Sequence, residues 1–289
     1  MKNALKPVLS VLMVIFLAGC SLNKMIVRLS VPIIEARISA LFQEDDYELV
    51  KASFPSNIKS LEGMLVNDPE NSQLHVYTAY AYYSYAFTFV EDEDRDRASG
   101  LYYRCLQHGK QGLQGFGIDE QLINGPTDEL QQAINAQHRE SAEALFWTAL
   151  CWAKIIEINR EQVLNIFQWH KAVIMMKRVQ QLDASIYLHG PDLFFGVYYG
   201  SRPPLLGGDY QLSERYFDEA RRATNNRLLI VDLLQAQYLE RQRHDRQAFR
   251  KKLKAIIAAP DTLVKEYALV NVVAKRKAQH LLKKEQQWF

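Results

Sequence analysis

GGDYQLSERYFDEARRA, Gly207 to Ala223, is the stretch that decides how this chain folds. Gly208 opens a tight turn. Tyr210 is followed seven residues later by Phe217 and three further on by Ala220. In a helical hairpin, such a Phe fills the gap between paired helices. The small Ala lets the next pair approach closely. The stretch therefore reads as the second helix of a helix–turn–helix repeat.

Outward from it, apolar residues recur at three and four almost everywhere, and strand-like alternation is nearly absent. Leu74, Tyr77, Ala81, Tyr85 and Thr88/Phe89 form one stripe. Leu145, Thr148, Ala149, Trp152, Ile155 and Ile156 form another. Asp68-Pro69-Glu70-Asn71 is a turn, with Asn71 or Ser72 as cap of the helix that follows. Pro126 and Thr127 open a short helix whose first turn carries Asp128 and Glu129, where the helix dipole favours acids. Pro260 ends one helix and Asp261 caps the last. Two weaker echoes of the repeat precede turns: Ala172, Met176 and Val179 before Leu182-Asp183, and Leu61 and Met64 before Asp68-Pro69. The pattern predicts an all-α, irregular tetratricopeptide-like superhelix of antiparallel helix pairs. Three long loops interrupt it, at Val90–Asp96, Gly115–Thr127 and Ser201–Asp209, where binding faces are to be expected.

The chain begins differently. Lys2 and Lys6 precede an apolar run of 12 residues, Val8 to Gly19. A membrane span needs about 20. The run ends in Leu17-Ala18-Gly19-Cys20, a lipobox, so residues 1–19 read as a lipoprotein signal peptide and Cys20 as the site of lipid attachment. Residues 20–44 then form an anchor and N-terminal helix, and 45–289 the helical domain. Ser21 rather than Asp follows, which favours the outer membrane in a Gram-negative cell. The expected location is the periplasmic face of a bacterial membrane.

Without residues 1–19, 33 basic residues face 33 acidic ones, so no general affinity for nucleic acid is implied. The balance is uneven: Glu240 to Phe289 holds 13 basic and 5 acidic residues, either a docking face or a solvated basic helix pair. Cys105 and Cys151 sit in apolar helical patterns and read as buried free thiols, with a single bridge as the alternative in an exported protein.

Two segments carry a family resemblance: YAFTFVEDEDRDRASGLYYR, Tyr85 to Arg104, and HGPDLFFGVYYGSRPPLLGGD, His189 to Asp209. DDYELVKASFPSNIKSLEGMLVNDPEN (45–71) and ALFWTALCWAKIIEIN (144–159) support it. The chain resembles the T-component (TatT) family of lipoproteins associated with TRAP transporters, tripartite ATP-independent carriers of organic solutes. The resemblance implies a periplasmic helical superhelix and a homotrimer surrounding hydrophobic pores. It also implies a partner, the substrate-binding P-component, and no cofactor. The alternative is a tetratricopeptide scaffold for envelope protein assembly without a small-molecule ligand.

The aromatic run Tyr80, Tyr82, Tyr83, Tyr85, Phe87 and Phe89 exceeds what one packed face needs. Each ring by itself is best read as core; the surplus argues for an apolar groove or subunit contact. Tyr85, Phe87 and Phe89 are accordingly candidates for ligand or partner binding. Tyr198, Tyr199 and Arg202 join them at the SRPPLLGGD loop. Arg202 is either a bidentate clamp for a ligand carboxylate or a structural group serving loop carbonyls or nearby acids. Glu91 to Asp94 lack calcium-loop spacing and read as a helix cap with ion pairs to Arg95, Arg97 or Arg202. The histidines form no HExxH set, and GxSxG, Walker A and GxGxxG signatures are absent, so no metal site and no enzyme activity are expected.

Overall fold

The computed structural model describes residues 22–159, 168–260 and 263–289, and among the described residues every regular element is a helix. Cys20 with its lipobox, and Asp261, lie outside them. A helical segment at 22–29 leads into α1 (Val31–Gln43). There follow α2 (Tyr47–Asn67), α3 (Ser72–Tyr85), α4 (Arg95–Gln114), the short α5 (Glu120–Asn124) and α6 (Thr127–Asn135), and α7 (Ala142–Ile158). The second half holds α8 (Trp169–Leu182), α9 (Ile186–Gly200), α10 (Tyr210–Ala223), α11 (Leu229–Leu234), α12 (Arg246–Ala258), α13 (Ala268–Lys283) and α14 (Glu285–Trp288).

Acidic and amide caps set the starts. The side chains of Asp46, Asn71, Asp94, Asp119, Asp209 and Asp245 each accept a hydrogen bond from an N–H in the first turn of the following helix. Each is worth about 1 kcal/mol. Between Asn71 and Ser72, Asn71 is the cap. The loops are shorter than the sequence suggests. A π-helical turn, Ala86–Val90, prolongs α3 and reduces the first loop to residues 91–94; α5 fills part of the second; a 3-10 turn, Pro204–Leu206, fills the third.

The long helices pack side by side in chain order: α3 on α4, α4 on α7, α7 on α8, and α9 on α10. In the last pair Phe217 is fully buried, its ring against the backbone of Gly196, and Ala220 is buried beside it. Helix α3 is covered on several sides, so Val76, Ala79 and Tyr82 are buried as well as the Leu74–Tyr77–Ala81–Tyr85 stripe. Cys105 of α4 and Cys151 of α7 are joined in a disulfide, their Cα atoms 5.8 Å apart. This corrects the expectation of free thiols. Periodicity placed both sulfurs inward but could not show which inward positions of two helices meet.

The chain closes on itself. Helix α13 packs against α1 and α2. Arg276 pairs with Glu48 at 3.1 Å and lies 3.8 Å over the Tyr47 ring. Lys277 pairs with Glu91 at 2.9 Å and Asp92 at 2.8 Å. Two apolar clusters result. One runs from Val27 through Val179 to Phe195 and takes in Leu269 and Val273; the other runs from Phe217 to Leu281. Phe87 packs against both.

Candidate ligand cavity

Between the two clusters lies a cavity of about 720 Å³, within the range of small-molecule sites. α1, α2, α3, α7, α8, α9, α11 and α13 all contribute to its wall. Closure by α13 therefore completes it. The wall is mainly aromatic. Phe42 stacks on Tyr80 at 6.2 Å, Tyr80 lies 5.0 Å from Trp147, and Trp147 lies 4.8 Å from Tyr187. Tyr83 stacks on Phe87 at 6.0 Å, and Trp169 meets Tyr198 edge-on at 5.5 Å. Burial pushes the Tyr80 hydroxyl up to about 12 and the Tyr83 hydroxyl up as well, so both stay neutral. Trp147 lines the cavity, its indole packed against the Tyr187 ring.

One part of the wall is a turn of unusual backbone. Tyr187, Leu188 and His189 are consecutive residues with φ of 49°, 60° and 61°. Left-handed backbone costs about 1–2 kcal/mol per L-residue, so surrounding packing must hold this turn in place. Phe146 does so from one side, 4.9 Å from the Tyr187 ring. A Cβ on Gly190 would come within 2.5 Å of the Phe146 ring, so only glycine fits beneath it. The next helical turn is tied by His189 Nδ1 and Asp192 Oδ2 at 3.1 Å.

The polar groups are few. Lys154 of α7 reaches Glu91 at 2.8 Å and Glu157 at 3.0 Å. Tyr238 donates to Glu157 at 2.7 Å, and Tyr102 donates to Glu91 at 2.6 Å. Lys277 completes the network from α13. Burial alone would raise the Glu91 carboxyl, but Lys154 and Lys277 outweigh it and hold it below the ordinary range. Burial would lower Lys154, but Glu157 and Glu91 raise it instead. Both remain charged, and the network presents Lys154, Glu157 and Tyr238 to the cavity. Arg227 also contributes to the lining; it is exposed, and its guanidinium has no ion-pair partner among the described residues.

The residues singled out from sequence separate into two groups. Phe87 and Tyr198 line the cavity. Tyr85 and Phe89 are buried in the core against Phe54, and Tyr199 stacks on Tyr216 at 6.0 Å, away from the cavity wall. Arg202 donates from Nε and Nη2 to the Tyr198 carbonyl, at 3.1 and 2.9 Å, and covers the Tyr198 ring at 3.6 Å. It thus caps the end of α9. The 91–94 acids divide likewise. Asp94 caps α4, while Glu91 and Asp92 pair with Lys154 and Lys277 rather than the expected arginines. Sequence reading missed Lys154, Glu157, Arg227 and Lys277. Lys154 had a signal, a lone lysine in the apolar ALFWTALCWAKIIEI with an acid three residues on. Among the described residues no group of three or more His, Cys, Asp or Glu is placed to hold a metal ion.

The site is an apolar cavity with a buried ion-pair network on its wall, enclosed by an all-α body. The family model of the TRAP transporter T-component matches residues 43–289, nearly the whole described body. The chain belongs to that family, whose members are accessory components of TRAP transporters. No curated protein matches it.

Proposed function

We propose that this chain is a lipid-anchored periplasmic accessory component of a TRAP-type transporter, tethered at Cys20 on a bacterial membrane. In this reading it is a homotrimer of tetratricopeptide-like subunits that docks the P-component and shelters or passes a hydrophobic or organic-acid ligand. The observation that carries it is the aromatic cavity of about 720 Å³ within a family already tied to transport. The cavity would take the apolar body of such a ligand. Arg227 suits its carboxylate, since an unpaired guanidinium offers a bidentate fork.

Support for docking comes from the SRPPLLGGD loop. Leu205 is 98% and Leu206 69% exposed at its tip. Gly207 has φ 82°, and a Cβ on Gly208 would collide with the Arg202 carbonyl, so both positions call for glycine. The exposed apolar tip suits a partner's pocket.

The test uses the chain from Ser21 onward and a fluorescent long-chain carboxylate. Saturable binding is expected. Leu234→Trp, which adds an indole to the cavity wall, should weaken it about tenfold or more by removing room for the chain. Arg227→Gln should weaken the carboxylate and leave the corresponding alcohol unchanged. Equal binding by all three proteins would end the cavity reading. Light scattering at micromolar protein tests the trimer, and co-purification with the neighbouring P-component tests docking.

A further inference from the structure

The helical segment at 22–43 has two unlike faces. Val27 and Ile34 are buried, and Ile38 and Leu41 pack inward beside them. At 3.6 residues per turn, Leu22, Met25, Ile26, Leu29 and Ile33 fall on the opposite side. They are 50%, 52%, 52%, 69% and 63% exposed. Half of the exposed large apolar side chains of the described body are gathered here. Exposed Ala36 and Ala40 continue the stripe, with no charged residue on its centre line. It runs about 28 Å along the helix axis. Scattered apolar side chains need no explanation, but a contiguous patch of this kind marks a binding surface.

The neighbouring sequence says what covers it. Two residues before Leu22 stands Cys20 of the lipobox. Arg28 and Arg37 flank the stripe, one on each side, and both are exposed although Arg28 reaches Asp68 and Arg37 reaches Asn57. Among the described residues no helix is long and apolar enough to cross a membrane. An apolar face with a basic flank, on a helix that does not span, is the arrangement of a helix lying in the lipid–water interface.

We infer that the 22–43 segment lies flat on the bilayer, with the Leu22–Ile33 stripe among the acyl chains and Arg28 and Arg37 at the headgroups. This deepens the lipoprotein reading by adding a second, non-covalent contact. A lipid on one residue fixes distance but leaves the body free to tumble; a helix face fixes its orientation. The inner side of the same helix brings Leu41 and Phe42 to the cavity wall. The cavity is therefore held about one helix diameter, ~10 Å, from the lipid.

The test separates helix from acylation. The chain from Ser21 onward keeps every described residue and lacks the acylation site. It is floated with mixed phosphatidylethanolamine–phosphatidylglycerol vesicles, beside its Leu29→Glu, Ile33→Glu double variant. Both positions are exposed, so folding is preserved, checked by circular dichroism. The parent should float, and the double variant should lose about tenfold or more of its bound fraction. No flotation of the parent, or equal flotation of both, overturns the inference. So does a parent oligomer that the double variant breaks up without vesicles, since the stripe is then a contact between copies. Palmitate labelling of the full chain against Cys20→Ala reports acylation separately; its absence with flotation intact would sink the lipobox and leave the helix contact standing.

Discussion

The two apolar clusters are held together by different means. The N-terminal one is built from long helices and large rings, and the Cys105–Cys151 bond ties α4 to α7 inside it. The C-terminal one is mostly aliphatic and carries no cross-link among the described residues; buried polar groups fix its geometry instead. Asn271 accepts from the Leu229 N–H and donates to the Arg227 carbonyl. Gln235 donates to Glu240, which Arg243 neutralises at 2.6 Å. The difference teaches where the molecule can open. A covalently tied body and a hydrogen-bonded one meet at a seam, the cavity occupies that seam, and the clasp of Glu91 and Asp92 with Lys154 and Lys277 closes it.

The largest effect is expected at the clasp. Glu91→Ala removes the carboxylate shared by Lys154 and Lys277, leaving two buried ammonium groups on Glu157 and Asp92 alone. Breaking a buried pair from one side costs about 3–5 kcal/mol. Guanidinium unfolding should show that loss, and hydrogen exchange should rise first in α13. A cost below about 1 kcal/mol would mean that apolar packing alone closes the ring.

Next in size is the cross-link. The bond closes a loop with a sequence separation of 46, for which chain entropy gives up to about 4 kcal/mol and practice about 2–4. Reduction, or the Cys105→Ala, Cys151→Ala pair, should lower stability by that amount and loosen α4 and α7 before α12 and α13. Loss confined to the C-terminal helices would reverse the comparison.

Much of this architecture was legible in the sequence, for a physical reason. Caps and apolar periods are local, and Asn71, Asp94, Phe217 and Ala220 act where their spacing put them. The all-α fold followed from such signals. What was not legible depends on residues far apart in the chain. Lys277 stands 186 positions from Glu91, and nothing in either neighbourhood announces the other. The same holds for the cavity. Helical spacing separates Phe87 from the Tyr85–Phe89 face, but nothing local says that the Phe87 face meets a seam while the other is core. The left-handed turn at Tyr187–His189 carries no local signal, since no glycine stands at those positions.

The smallest effect tests the N-terminal body alone. His75 and His108 face each other with Nδ1 atoms 3.0 Å apart, and His75 Nε2 lies 2.9 Å from the Pro69 carbonyl. A carbonyl only accepts, so His75 carries its proton on Nε2 and its Nδ1 must accept from His108. Both rings are then neutral, and charging both would set N–H against N–H. Burial first, and His75 second, lower His108 to about 4; burial lowers His75 as well. Folded values below the unfolded one, near 6.5, mean that the unfolded chain binds more protons in the window between. The contribution is fully present above about pH 6.5 and is lost as pH falls toward about 4. Allowing for partial exposure, it is on the order of 1–2 kcal/mol. His108→Gln keeps a donor to His75 but cannot titrate. The difference in unfolding free energy between parent and variant should therefore shift across that window and be flat above it. A constant difference from pH 7 to pH 4 would show that the pair does not carry the acid sensitivity of the α3–α4 packing.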